Sequence, residues 1–269
     1  MLATLLLLLQ DFSDKESGFS LTLPDKSWQC VKKDKALVAF TNKTLQGHVV
    51  RELYSGTLTA YNSEQVASHE LEWTKKAKVS DRPAFHNRLT RFEMICVDAG
   101  DGVFFRIVLE NFDADTARKL VEGTSISAPQ YPSFESKKWK VRFKLPVGWK
   151  GEELEKPEGI IVARFSGEEG AGGCGIEDFA MSLEDHFDWM IEALKEKGYK
   201  VVLHSEKSDK HSFSASYTLT RGTDAFRYRM RLASDGDKIY RLYFYCDESE
   251  AKLYQTHFEK LSESFAIVK

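Results

Sequence analysis

Two stretches decide the reading: Phe19-Ser-Leu-Thr-Leu-Pro-Asp-Lys-Ser-Trp28 and Val141-Arg-Phe-Lys-Leu-Pro-Val-Gly-Trp149. In each, apolar residues alternate into Leu-Pro, and a Trp follows. Alternation marks a strand with one buried face. Pro24 and Pro146 end that strand, because proline has no N–H for a ladder. Trp28 and Trp149 are then expected to fold back as core anchors, since large aromatics mostly serve burial.

Outward from this pair, the two halves of the chain continue in parallel. Ala36 to Phe40 matches Ile160 to Phe165 as a second strand, each followed by a turn-rich stretch. Asn62 to Gln65 caps a helix expected over Val66 to Lys76, and Ser182 to Asp185 caps one over His186 to Lys197, closed by Gly198. Leu89-Thr90-Arg91 lines up with Leu219-Thr220-Arg221. The turn Asp98 to Gly102 matches Ser234 to Asp237, and Val103 to Leu109 matches Ile239 to Tyr245. Each half ends on a helix, Thr116 to Val121 or Glu248 to Leu261, and an apolar tail at Ile126 or at Phe265 and Ile267. The second half is longer, which the sequence assigns to insertions such as Gly222 to Phe226.

The coarse order is β-β-α-β-β-β-α, twice. Tight turns make the sheets mainly antiparallel, and helices must cover them. The expected fold class is α+β, with two similar domains, each an αβα sandwich. The chain has 269 residues, a little under two domains at roughly 150 residues each. The expected boundaries are an apolar N-terminal segment over residues 1–16, domain 1 over 17–127, a linker over 128–137 and domain 2 over 138–269. The linker reading rests on Ser127 to Ser136, which holds Pro129 and Pro132 and shows no periodicity.

This order, taken twice, resembles the PsbP-like fold: an opening strand into Leu-Pro, a Trp, a mid-chain helix, a strand meander and a C-terminal helix. That group includes the extrinsic photosystem subunit, exported bacterial proteins of the DcrB type and a Ran-binding nuclear import factor. The resemblance covers about residues 17–127 and 138–268. Ser80-Asp-Arg-Pro-Ala84 is similar to the turn before the meander in that family, whereas Ser208-Asp-Lys-His211 departs from it. The resemblance implies a non-catalytic binding or assembly module and carries over no site residue, because fold alone does not license function.

Charge excludes some partners. Before and including Phe134 there are 16 basic and 17 acidic residues, and after it 22 and 24. Neither half has the cationic excess of a nucleic-acid platform. Leu2 to Leu9 is apolar but far short of the about 20 residues that span a membrane. The run fits the centre of a secretory signal, although no Lys or Arg precedes it and no A-x-A site follows. The reading is an exported chain, periplasmic or extracellular, with a cytoplasmic one as the alternative. Cys30, Cys96, Cys174 and Cys246 are spaced too widely for a C-x-x-C site. They read as free buried thiols, with one disulfide per domain as the alternative.

No motif names a reaction, and no catalytic, cofactor or metal residue is assigned. Gly167 to Gly175 lacks the helix and the Lys of a phosphate loop, carries Glu168 and Glu169, and reads as a hairpin tip before a strand over Ile176 to Ala180. Cys174 has no basic neighbour in sequence to activate it. His48, His69, His86, His186, His204, His211 and His257 form no metal spacing and read as solvent-facing, although His204 and His211 flank a turn with Glu206 and Asp209 nearby. Lys137, Lys138, Lys140, Arg142 and Lys144 read as a solvated strand face. Phe187, Met190, Ile191 and Leu194 form a core stripe, and Trp189 lies off it. Tyr243 and Tyr245 share one strand face and Phe244 the other, with Tyr240 nearby, all read as core unless one face is bare.

The functional expectation is a tandem binding module for a protein or small ligand, with the seam between domains as its place. The alternative is an enzyme assembled in space from Cys174 with His204 or His211, or from paired carboxylates.

Overall fold

Both Leu-Pro stretches open short antiparallel strands whose alternate residues are buried, and both Trp side chains enter a core. Trp28 packs on Phe40 and Phe112, with centroids 6.2 and 5.5 Å away. Trp149 packs on Phe165, Phe244 and Phe258. The computed structural model describes residues 11–31, 33, 35–42, 44–167, 170–178 and 181–268. It divides into two units, 1–130 and 131–269.

In the first unit the order is β1 (Asp11–Asp14), β2 (Phe19–Thr22), β3 (Gln29–Val31), β4 (Val38–Asn42), β5 (Leu45–Leu53), α1 (Leu58–Ser68), β6 (Trp73–Val79), β7 (Arg82–Leu89), β8 (Phe92–Gly100), β9 (Val103–Glu110), α2 (Ala114–Glu122) and β10 (Thr124–Ile126). The second unit repeats it as β11 (Ser133–Ser136), β12 (Val141–Lys144), β13 (Lys150–Glu158), β14 (Ile161–Gly167), β15 (Gly170–Asp178), α3 (Leu183–Glu196), β16 (Lys200–Ser208), β17 (Ser212–Arg221), β18 (Asp224–Ser234), β19 (Lys238–Asp247), α4 (Ala251–Glu263) and β20 (Ala266–Ile267), with one 3-10 turn before α4.

Each unit has a seven-stranded antiparallel sheet, ordered β3-β4-β5-β9-β8-β7-β6 or β13-β14-β15-β19-β18-β17-β16. Each also has a three-stranded sheet, β1-β2-β10 or β11-β12-β20. The two topologies are identical, so the fold is a duplicated α+β domain. The helices cover parts of the large sheets: α1 packs on β7 and β8, α3 on β16 to β18, and α4 on β18 and β19. Ser182 caps α3 by accepting from the Asp185 N–H at 3.0 Å, and Gly198 follows the helix with φ of 84°, a value that glycine adopts without a Cβ clash.

Several expectations are corrected. The first helix starts at Leu58, not Val66, because the Thr57 hydroxyl accepts from the Ala60 N–H at 3.2 Å. Asn62 is no cap: it is buried and its Oδ1 accepts from Asn87 Nδ2 at 2.7 Å. Residues 73–76 are therefore strand. Five strands, not two, precede each mid-chain helix. The linker stretch is not free chain, since Ser133–Ser136 pairs with Val141–Lys144 and stacks Phe134 on Phe143 at 4.9 Å. Asp11–Asp14 pairs with Phe19–Thr22, so those residues of the N-terminal segment belong to a sheet. The apolar run 2–9 lies outside the described residues.

The glycine-rich stretch is the largest correction. Gly170–Asp178 is β15, an interior strand paired with β14 and β19. Gly172 sits where a Cβ would collide with the Phe165 ring and the Tyr243 carbonyl, so the glycines permit close packing. Glu168, Glu169 and the strand expectation at Phe179 and Ala180 lie outside the described residues.

Candidate functional site

Cross-strand register aligns the two copies residue by residue. Glu52 lies opposite Phe104, and Glu177 lies opposite Ile239. Two residues on from these partners stand Arg106 and Arg241. Arg106 Nη2 is 3.0 Å from Glu52 Oε1, and Arg241 Nη2 is 3.6 Å from Glu177 Oε1. The helix above closes both pairs. Counting from the caps Thr57 and Ser182, Tyr61 matches His186, Glu64 matches Trp189 and Gln65 matches Met190. The Tyr61 hydroxyl donates to Glu52, and His186 Nε2 is 3.6 Å from Glu177. Arg106 donates to Gln65 at 2.5 Å, and Arg241 points at the Met190 sulfur at 3.1 Å. The same ion pair, clamped by the same two helix positions, therefore underlies each first helix. The contact with His186, with Arg241 beside it, holds the Glu177 carboxyl below its usual range.

Around this shared frame the copies diverge. The register of Arg106 and Arg241 with their neighbours places Val108, Glu110, Phe92 and Leu89 of domain 1 at the positions of Tyr243, Tyr245, Tyr228 and Tyr217. On the adjoining strand, Gln46 and His48 match Ala171 and Gly173. In domain 1 this area mixes apolar Val108, Phe92 and Leu89 with paired polar groups: Lys33 contacts His48 at 3.1 Å, Gln46 donates to Glu110 at 2.7 Å, and Tyr54 donates to Glu64 at 2.8 Å. In domain 2 it is a rail of phenols. Tyr217 stacks on Tyr228 at 5.3 Å, and Tyr228 stacks on Tyr245 at 5.0 Å. Phe226 meets Tyr245 edge-on at 6.0 Å. Tyr243 lies on Gly173, where a Cβ would stand 2.6 Å from its hydroxyl. Arg241 sits over Tyr243 at 6.0 Å.

Among the described residues, α3 packs mainly on β16 to β18 and reaches β15 and β19 through His186 on Glu177 and Met190 on Arg241, so its cover thins out towards Tyr245. Tyr228, Tyr243 and Tyr245 are half-buried there, while Phe244 on the opposite face is fully buried under Phe258 of α4. The core reading holds for Tyr240, Phe244 and Tyr217, whereas Tyr228, Tyr243 and Tyr245 keep part of their surface exposed. Trp189, at the position of Glu64, is 50% exposed. Burial raises the pKa of Tyr228 and Tyr243, so these two phenols are neutral at ordinary pH.

The Tyr217–Tyr228 pair also explains the longer second half. Beyond it the hairpin gains four further pairs, Thr218 with Arg227 through Arg221 with Asp224. The extra residues extend two paired strands and are not a loop. Leu89 thus corresponds to Tyr217, not to Leu219.

Cys174 does not meet His204 or His211. Cys174 is fully buried on the core face, and burial pushes its thiol up to about 12. Cys96 and Cys246 are likewise raised to about 12 by burial, and all four cysteines are free thiols. His204 contacts the Thr218 hydroxyl at 2.7 Å, while His211 lies in the turn beside α3. That turn borders an open cavity of about 530 Å³, lined by Glu184, Asp209, His211 and Asp235 among others. There the N–H of His211 and the hydroxyl of Ser212 hold Asp209 down at about 2. The solvent-facing reading of the histidines is corrected for His186 and His257, which are buried in the second domain. Arg142 and Lys144 do face solvent above buried Val141 and Phe143. Among the described residues no cluster of three His, Cys, Asp or Glu side chains could hold a metal ion, and no helix is long and apolar enough to cross a membrane.

The chain is similar to the solution structure of cyanobacterial PsbP from Synechocystis sp. PCC 6803, at 13% identity and a TM-score of 0.42, over 51% of this chain and 91% of that one. It is also similar to a protein of unknown function, PA94, from Pseudomonas aeruginosa, a putative regulator by its description, at 8% identity and a TM-score of 0.33, over 48% and 92% of the two chains. The immunity protein TplEi of the same organism, in complex with an "L" peptide, is similar at 6% identity and a TM-score of 0.29, over 90% and 98%. No protein-family model matches the sequence, and no curated protein matches it.

Proposed function

We propose that the chain is a non-catalytic tandem binding module and that the tyrosine face of domain 2 receives a protein partner. One observation carries this. Two copies share one framework, yet only the second sets three half-buried phenols on a floor of glycine and alanine, where the first has Val108, Glu110 and Phe92 over Gln46 and His48. Tyrosine supplies large, rigid, amphipathic contact area at low entropic cost, and small residues beside it let a partner backbone approach. Trp189 adds an exposed aromatic from α3. The apolar run 2–9 supports an exported chain, and intact mass of the mature protein tests that point: loss of the first residues is expected, and an unprocessed N-terminus overturns it.

The test of the surface is site-specific photo-crosslinking in the native host. A photoreactive phenylalanine at Tyr245 is expected to capture a discrete protein adduct, while the same group at Glu110, its counterpart, captures none. Equal labelling at the two positions, or none at Tyr245, overturns the reading.

A further inference from the structure

The opposite face of the same hairpin carries a second set of substitutions between copies. In domain 1, Glu93 on β8 is buried and neutralised from β7: His86 Nε2 is 2.9 Å away and Arg88 Nε is 3.7 Å away. The register that matches Cys96 to Leu232 places Arg229 at the position of Glu93 and Arg231 at that of Ile95. It places Ser214 and Ser216 at the positions of His86 and Arg88. Domain 2 has thus exchanged a carboxylate for a guanidinium, and an imidazole and a guanidinium for two hydroxyls.

The result is a cationic stripe short of counter-charge. Arg227, Arg229 and Arg231 alternate along β18 and face Thr218, Ser216 and Ser214 across the ladder. Lys207 stands opposite Ser214 from the other side. Arg227 is saturated, with Glu248 at 2.5 and 2.9 Å and Thr218 at 3.2 Å. Arg229, 9% exposed, has one ion-pair contact, at 3.3 Å to Glu259, whose side chain is half exposed. Arg231 forms no ion pair among the described residues, and the Nε atoms of Arg229 and Arg231 are buried without a hydrogen-bond partner. The nearby Asp209 accepts from Ser212 Oγ and from the N–H groups of His211 and Ser212, and feels the Arg231 charge only from beyond ion-pair distance.

Two same-face residues on a strand stand about 7 Å apart, so their like charges repel unless an anion lies between them. A carboxylate offers two oxygens, whereas two guanidiniums and two hydroxyls ask for more acceptors than that. Tetrahedral oxyanions meet the demand, and arginine forks match their geometry. We infer that Arg229 and Arg231, over Ser214 and Ser216, form a site for a tetrahedral oxyanion of the phosphate class. It lies on the sheet face opposite the tyrosine rail and does not depend on the partner reading above.

The test uses the full chain with labelled arginine side chains, titrated with sodium phosphate at pH 7 and followed by the Nε–Hε resonances. Saturable shifts centred on Arg229 and Arg231 are expected, absent with sodium chloride at equal ionic strength. A parallel titration with O-phosphoserine separates sources: binding of both ions assigns a phosphomonoester site, and binding of phosphate alone assigns a free-ion site. Arg231→Gln is expected to weaken binding by about tenfold, while Arg164→Gln, on another strand, leaves it unchanged. Shifts that track chloride, or an unchanged affinity in Arg231→Gln, overturn the inference. If that variant fails to fold, the wild-type titration against chloride still decides.

Discussion

Arg241 and Glu177 face each other beneath α3 at 3.6 Å, in the position that Arg106 and Glu52 occupy beneath α1 at 3.0 Å. The contact repeats although the residues above it have changed from Tyr61 and Gln65 to His186 and Met190. Both partners lie on the sheet, so the pair gives each helix a fixed docking point: Tyr61 or His186 on the carboxylate, and Gln65 or Met190 on the guanidinium.

Glu177→Gln is therefore expected to lower stability at pH 7 by about 2 kcal/mol, less than the about 3–5 kcal/mol of a fully buried pair because the contact is long and both side chains keep some exposure. The carboxyl is depressed in the folded state, first by His186 and then by Arg241. Its contribution is present above the unfolded carboxylate pKa and is lost as pH falls through the lower folded value. Urea unfolding of wild type and variant should differ at pH 7 and converge in acid. A gap that stays constant down to pH 3 contradicts the pairing.

Thiol chemistry gives a second outcome. Three cysteines are buried with pKa values pushed up to about 12, and Cys30 is only half-buried. A thiol reagent at pH 8 should modify Cys30 well before the rest, and Cys30→Ser should remove that fast phase. Denaturant should expose all four cysteines. Fast native labelling of Cys174 would revive a catalytic role for it.

The glycines of β15 should not be equivalent. At Gly172 an added Cβ meets a backbone carbonyl and the Phe165 ring, and at Gly173 it meets the outer part of the Tyr243 ring. Backbone cannot yield as a side chain can. Gly172→Ala should cost about 3 kcal/mol and Gly173→Ala about 1 kcal/mol, as overpacking ranges. Thermal melts of the two variants check the order, and Gly173→Ala should also move Tyr243 in the aromatic proton spectrum.

The domain boundary can be tested by truncation. Residues 131–269 retain β11 and are expected to melt cooperatively on their own. Residues 138–269 lose that strand and the half-buried Phe134 ring on Phe143, a loss of about 2 kcal/mol, below the about 3–5 kcal/mol of a fully buried Phe. Equal melting temperatures for the two fragments would place β11 outside the folding unit.

The sequence by itself determined the duplication, the antiparallel α+β class, the hairpin turns, the Ser182 cap and the two Trp anchors. Each is written in local chemistry: a proline that ends a ladder, a hydroxyl three residues before an N–H, a period of two. Only the tertiary structure decided the rest. The edge strands β6, β13 and β16 are polar or exposed on both faces, so no alternation marks them. The interior strand β15 is built from glycines, whose fit depends on Phe165 and Tyr243, far away in sequence. Asn62 reads as a cap until Asn87 is placed beside it. The Glu–Arg pairs, the tyrosine rail and the arginine stripe are relations across strands, and register is set by burial of whole faces. Alignment of Leu89 with Leu219 had hidden them, because the extended hairpin shifts the true counterpart to Tyr217.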